Sequence, residues 1–141
     1  MGFRLSVSVF FSFRSVKVIT ESFSFFYTDR ERGGEEPMVE LKTLELQQYR
    51  YVLITLRLPH WTCRMIVCTA GVLVDESWNL SALERRGLAG FQTDRRGMAA
   101  MLDGKITAVT STAAQNGIYI GMSGREALLK VMYEKEKNGQ S

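Results

Sequence analysis

The side chains able to do chemistry are few in this sequence and widely spaced. His60, Cys63 and Cys68 are its whole complement of imidazole and thiol groups, set at spacings of three and five on one short segment. A closed zinc shell needs four ligands, more than these can supply, and two thiols are too few for a secreted disulfide framework. They read as packing and surface positions of a reduced, cytoplasmic protein. Asp75, Glu76, Asp94 and Asp103, acids of the middle of the chain, offer no close pair suited to acid–base work. Ser111 and Ser123 have only His60 as a base and no nucleophile motif around them, so they read as helix caps. No catalytic residue, metal ligand or cofactor site is assigned.

The cations carry the sharper reading. Glu84-Arg85-Arg86-Gly87-Leu88-Ala89-Gly90 recurs ten residues later as Asp94-Arg95-Arg96-Gly97-Met98-Ala99-Ala100. Two turns of one chemistry are expected, and their arginine pairs, with Lys105 and Arg125, form a candidate set for sequence-independent contact with DNA phosphates. The alternative is a solvated turn, since Glu84 and Asp94 halve the local charge. The overall excess of +3 is too small to mark a nucleic-acid binder by bulk charge. Glu134-Lys135-Glu136-Lys137 alternates in sign and reads as a solvated helix end.

The elements that must hold these residues follow from pattern. With 141 residues, 45% of them hydrophobic, the chain has room for one ordinary domain. Ile66 to Val74, its longest nearly unbroken apolar run, is about half of the ~20 residues that a membrane-spanning helix requires. Residues 1–37 carry five basic and five acidic groups, so the whole +3 lies in residues 38–141. The first part is Ser/Phe-rich, alternates like a strand in places, and dissolves into a polar linker ending at Pro37. Met1-Gly2-Phe3-Arg4-Leu5-Ser6 fits the loose myristoylation pattern, and Leu5 to Phe13 a short signal core, but Arg14 follows and no cleavage site appears. We read residues 1–37 as an appendage or as the product of a wrongly assigned start.

Tyr49 to Leu58 is dense in β-branched and aromatic residues and reads as a buried strand ended by Pro59. From His60 to Gly71, Pro59 before and Gly71 after favour a short helix. The rival is a strand, because Thr, Ile and Val prefer sheets. Ser81 to Glu84 has capping-box spacing for a short helix. Met98–Leu102 and Lys105–Val109 flank Asp103-Gly104, which predicts a hairpin with a type I′ turn, Met101 facing Ile106 and Ala99 facing Ala108. Thr110 to Gly117 reads as a turn or two of helix stopped at glycine. Ser123 and Glu126 open a last helix with Leu128, Val131 and Met132 on its apolar stripe, ending at Asn138-Gly139. The fold class is α+β: a small sheet with a β-hairpin followed by two helices.

This order, with the Ala113-Ala114 pair, Gly117, Gly121-Met122 and Glu126-Ala127, resembles the fingers region of Y-family translesion DNA polymerases. Tyr51 to Trp61 resembles the opening palm strand of the catalytically inactive, ImuB-type branch of that superfamily, where a Pro-x-Trp-like corner replaces metal-binding aspartates. The marks Asp103, Gly104, Gly117, Gly121, Met122, Ser123 and Glu126 are all scaffold. The positions where active members hold the incoming triphosphate fall at Ser111 and Ala114, which cannot serve. The resemblance implies a truncated, non-catalytic accessory of bacterial DNA damage tolerance, with DNA, the sliding clamp and an error-prone polymerase as partners. The other reading is a small α+β protein-interaction domain with no nucleic-acid role.

Overall fold

A computed structural model of the chain describes residues 38–139 in full and residues 2–13, 16–29 and 34–37 as backbone. It divides into two compact units, Met1–Cys63 and Arg64–Ser141. In the first, β1 (Gly2–Phe13), β2 (Val16–Asp29), β3 (Gly34–Leu46) and β4 (Tyr49–Leu58) form an antiparallel meander. β4 has the bounds expected from its composition. Tyr51, Leu53 and Thr55 are buried along it while Arg50 and Val52 are exposed, the two-residue alternation of a strand covered on one face. Leu44 lies opposite Tyr51, and both are buried. The appendage expected over residues 1–37 lies outside the residues whose side chains are described.

In the second unit a mixed ladder runs through β5 (Trp61–Val67), which begins in the first unit, β6 (Val72–Val74), β7 (Gly90–Thr93) and β8 (Ile106–Val109). β5 and β6 are antiparallel, β6 and β7 parallel, β7 and β8 antiparallel. A parallel pair requires a crossover of a dozen or more residues. Residues 75–89, with α1 (Leu80–Arg85), supply it. Three further helices follow: α2 (Met98–Asp103), α3 (Ser111–Gln115) and α4 (Gly124–Asn138). The architecture is α+β. Its core gathers Ile66, Leu73, Phe91, Met101, Ile106, Ile118, Leu128 and Val131, each at most 2% exposed.

Three expectations need correction. His60 to Gly71 holds a strand, not a helix: Met65, Ile66 and Val67 pair with Val74, Leu73 and Val72, so β-branched preference outweighed the Pro and Gly punctuation. The helix near Ser81 is capped two residues earlier than expected, by Asn79, whose side chain accepts a hydrogen bond from the Ser81 amide at 3.0 Å.

The hairpin at Asp103-Gly104 does not exist. Met98–Asp103 is helical, as a run of Ala, Met and Leu without a β-branched residue prefers. Gly104 caps it in extended backbone (φ −72°), far from the positive angles of a type I′ turn. β8 instead pairs with β7, Phe91 opposite Val109 and Thr93 opposite Ile106.

What Gly104 supplies is space. A Cβ there would meet the Ala100 carbonyl oxygen at 2.8 Å and Thr93 Oγ1 at 2.9 Å. Its carbonyl accepts the Gly124 amide at 2.9 Å, and a Cβ on Gly124 would drive into the Met101 carbonyl oxygen. Gly124 thus lets the start of α4 meet the end of α2 at backbone contact, and Gly104 lets the end of α2 close on Thr93 of β7. Ser123 caps α4 as expected, its hydroxyl accepting the Glu126 amide at 3.1 Å. Leu128 and Val131 are buried on its inner face, with Met132 half-buried.

Candidate functional site

The second of the two repeated turns, between β7 and α2, forms one wall of a cleft of about 470 Å³ lined by Asp94, Arg95, Ala100, Asp103, Gly104, Lys105 and Thr107. β7 ends at buried Thr93, whose hydroxyl accepts the Arg95 amide at 3.3 Å and so fixes the turn. Gly97 completes the turn at φ 92°, an angle that L side chains rarely adopt, and leads into α2. Thr107 reaches from the opposite wall, its hydroxyl donating to the Gln92 carbonyl at 3.2 Å. Asp103 faces Arg125 of α4 at 3.5 Å, and Asp94 faces its neighbour Arg95 at 3.8 Å. Lys105 makes no ion pair with the described residues.

The structure therefore brings Arg95, Lys105 and, through Asp103, Arg125 to one place, and separates the others. Arg96 turns to Glu76 at 3.3 Å. Arg85 and Arg86 lie at the first turn, at the end of α1, where Gly87 also takes a positive φ, 70°. The repeat does encode two turns sharing a left-handed glycine, but one leads from helix to strand and the other from strand to helix. Gly117 (φ 85°) and Gly121 (φ 103°) bend the chain between α3 and α4, and Met122 between them and Ser123 is 7% exposed.

Sequence reasoning passed over two polar devices. Asp75, fully buried, accepts the amides of Arg64 and Ser77 at 3.0 Å each, and its carbonyl accepts Gln92 Nε2 at 3.1 Å, tying β5, β6 and β7 together. Thr110, 1% exposed, donates to the Leu88 carbonyl at 2.8 Å and accepts the amides of Gly90 and Ala113. Beside it Glu84 takes both the Ser111 hydroxyl (2.5 Å) and the Ser111 amide (2.7 Å), and these two bonds hold its carboxyl below the ordinary glutamate value. For Asp75 and Thr110 only the apolar residues just before them, Val72–Val74 and Ala108–Val109, could have signalled burial.

The thiols are not set up as nucleophiles. Cys63 is buried, and Cys68 donates to the Gly71 carbonyl at 3.3 Å in a setting whose burial pushes its thiol up. Among the described residues no group of three or more His, Cys, Asp and Glu side chains comes together that could hold a metal ion. No helix among them is long and apolar enough to cross a membrane.

Comparison with known proteins tests the resemblance drawn from the sequence. No known protein-family model matches it. The uncharacterized protein YunC of Bacillus subtilis is 31% identical over 100 residues, an alignment covering 67% of this chain and 99% of YunC. The chain belongs to the YunC family. A crystal structure of a protein of unknown function from Thermoplasma acidophilum, TA1206, shares the fold with a TM-score of 0.62 at 18% identity, over 67% of this chain and 93% of that one.

Membership of the YunC family overturns the Y-family polymerase reading and the DNA-repair and translesion role drawn from it. The physical reason is plain in the fold. One of the two strands of the supposed fingers hairpin is helix α2. The remaining marks, a glycine helix stop, a Gly-x-x-x-Gly bend and a serine cap, are devices that any α+β domain can use.

Proposed function

We propose that this YunC-family chain is a non-catalytic protein-interaction module with no nucleic-acid role, and that its contact surface is the bend between α3 and α4. The observation that carries the reading is the pair Tyr119 and Ile120, 60% and 63% exposed between the buried Ile118 and Met122. The backbone on either side is held. The Ile118 amide donates to the Ala113 carbonyl at 3.1 Å, the Gly121 amide to the Ile106 carbonyl at 2.9 Å, and the Ile106 amide to the Met122 carbonyl at 2.8 Å. An apolar tip on a held backbone has little ordering entropy left to lose on binding. Covering these two side chains offers roughly 1.5–3 kcal/mol each before the costs of association. The cytoplasm, where thiols stay reduced, suits the free Cys63 and Cys68.

The test is site-specific photo-crosslinking in the native cell, with the reactive group at Tyr119 and a control at exposed Lys137. A protein adduct is expected from position 119 alone, and it should disappear when Ile120→Ser is added. Equal adducts from both positions, or an adduct with nucleic acid, would overturn the reading. Labelled duplex DNA should show no affinity that falls steeply with salt, since phosphate contacts release counterions.

A further inference from the structure

We propose that the cleft between the β7–α2 turn and the start of β8 binds a small zwitterion of the amino-acid type. The inference is independent of the interaction surface at Tyr119 and Ile120. About 470 Å³ falls within the ~300–1,000 Å³ span of small-molecule sites. Ala100 and Gly104 are among its lining residues and put no long side chain into it.

Both signs of charge line the cleft, and the distances say which groups are open to a ligand. Asp103 is engaged by Arg125 at 3.5 Å, whereas Asp94 has only the long 3.8 Å contact with adjacent Arg95. Lys105 has no carboxylate partner among the described residues. Lys105 and Arg95 are thus the cations for a ligand carboxylate, and Asp94 the carboxylate for its ammonium group. A simple anion would satisfy one side and leave Asp94 facing it. A simple cation would meet Lys105. A molecule carrying both charges answers both walls.

The experiment uses the full chain, ¹⁵N-labelled, titrated with L-glutamine while the amides of Ala100, Gly104, Lys105 and Thr107 are followed by NMR. Saturable shifts at these amides are expected, with acetate and methylammonium at least about tenfold weaker, each having lost one charge-assisted contact. Lys105→Met and Asp94→Asn, both at exposed positions, should each weaken L-glutamine by about tenfold without changing the thermal melt. Absence of saturable shifts up to about 10 mM would overturn the proposal. So would acetate or inorganic phosphate binding as well as L-glutamine, or unchanged affinity in both variants.

Discussion

Gly124→Ala tests the backbone crossing that replaces the expected hairpin. The new Cβ would press into the Met101 carbonyl oxygen, 3.0 Å from Leu73 Cδ2 and 3.1 Å from the Met101 carbonyl carbon. Neither side can yield freely. The Met101 amide is bonded to the Gly97 carbonyl at 2.8 Å, the Gly104 amide to the Ala100 carbonyl at 2.7 Å, and Gly124 itself to Gly104 at 2.9 Å. Overpacking of this kind costs about 1–3 kcal/mol, and losing the Gly124–Gly104 bond adds about 1 kcal/mol. Alanine's better helix propensity returns at most ~1 kcal/mol. The net destabilisation is about 1–3 kcal/mol, or roughly 5–20 °C in Tm for a unit of this size. The four helices among the described residues all lie in residues 64–141, so urea or thermal unfolding followed by helical circular dichroism reads that unit. Gly121→Ala is the control, since nothing lies within 4 Å of its Cβ position and only the positive φ is strained. That variant should lose about 1–2 kcal/mol. A Gly124→Ala protein within about 0.5 kcal/mol of the parent would refute the claim that this glycine is there for space.

Other substitutions address the buried polar devices. Thr110→Val keeps the shape but strands the Gly90 amide, and a loss of about 2–3 kcal/mol in chemical denaturation is expected. Asp75→Ala leaves the Arg64 and Ser77 amides without their acceptor and should cost about 2–4 kcal/mol, read the same way. Glu84 has its carboxyl held low by Ser111, so its contribution is complete above the ordinary glutamate value and is lost as pH falls through the lowered one. The difference in Tm between the parent and Glu84→Gln should therefore be largest at neutral pH and shrink below pH ~4.3. A difference that grows on acidification would contradict the Ser111 clamp. Cys68, with its thiol raised by burial, should be alkylated at pH 8 well below the rate of a free cysteine, measured by mass spectrometry of the native chain against the urea-unfolded one.

Local signals in the sequence determined the fold class, the limits of β4, the serine-capped start of α4 and the glycine stop after α3. Each depends on a residue and its neighbours within about one helical turn, through cap hydrogen bonds, β-branching or a left-handed glycine. The tertiary structure alone decided the meaning of Asp103-Gly104. Glycine relieves two different constraints, a positive φ and a close approach, and a sequence shows the relief without the constraint. The constraint on Gly104 comes from Thr93, Arg95 and Ala100, brought against it where the end of α2 closes on β7, and the constraint on Gly124 comes from Met101. The same holds for His60 to Gly71, where the strand's choice waited for Val72–Val74 to pair with it. It holds too for the charged cleft, because Asp94 and Thr107 meet only when β8 lies beside β7 instead of folding back on Met98–Leu102.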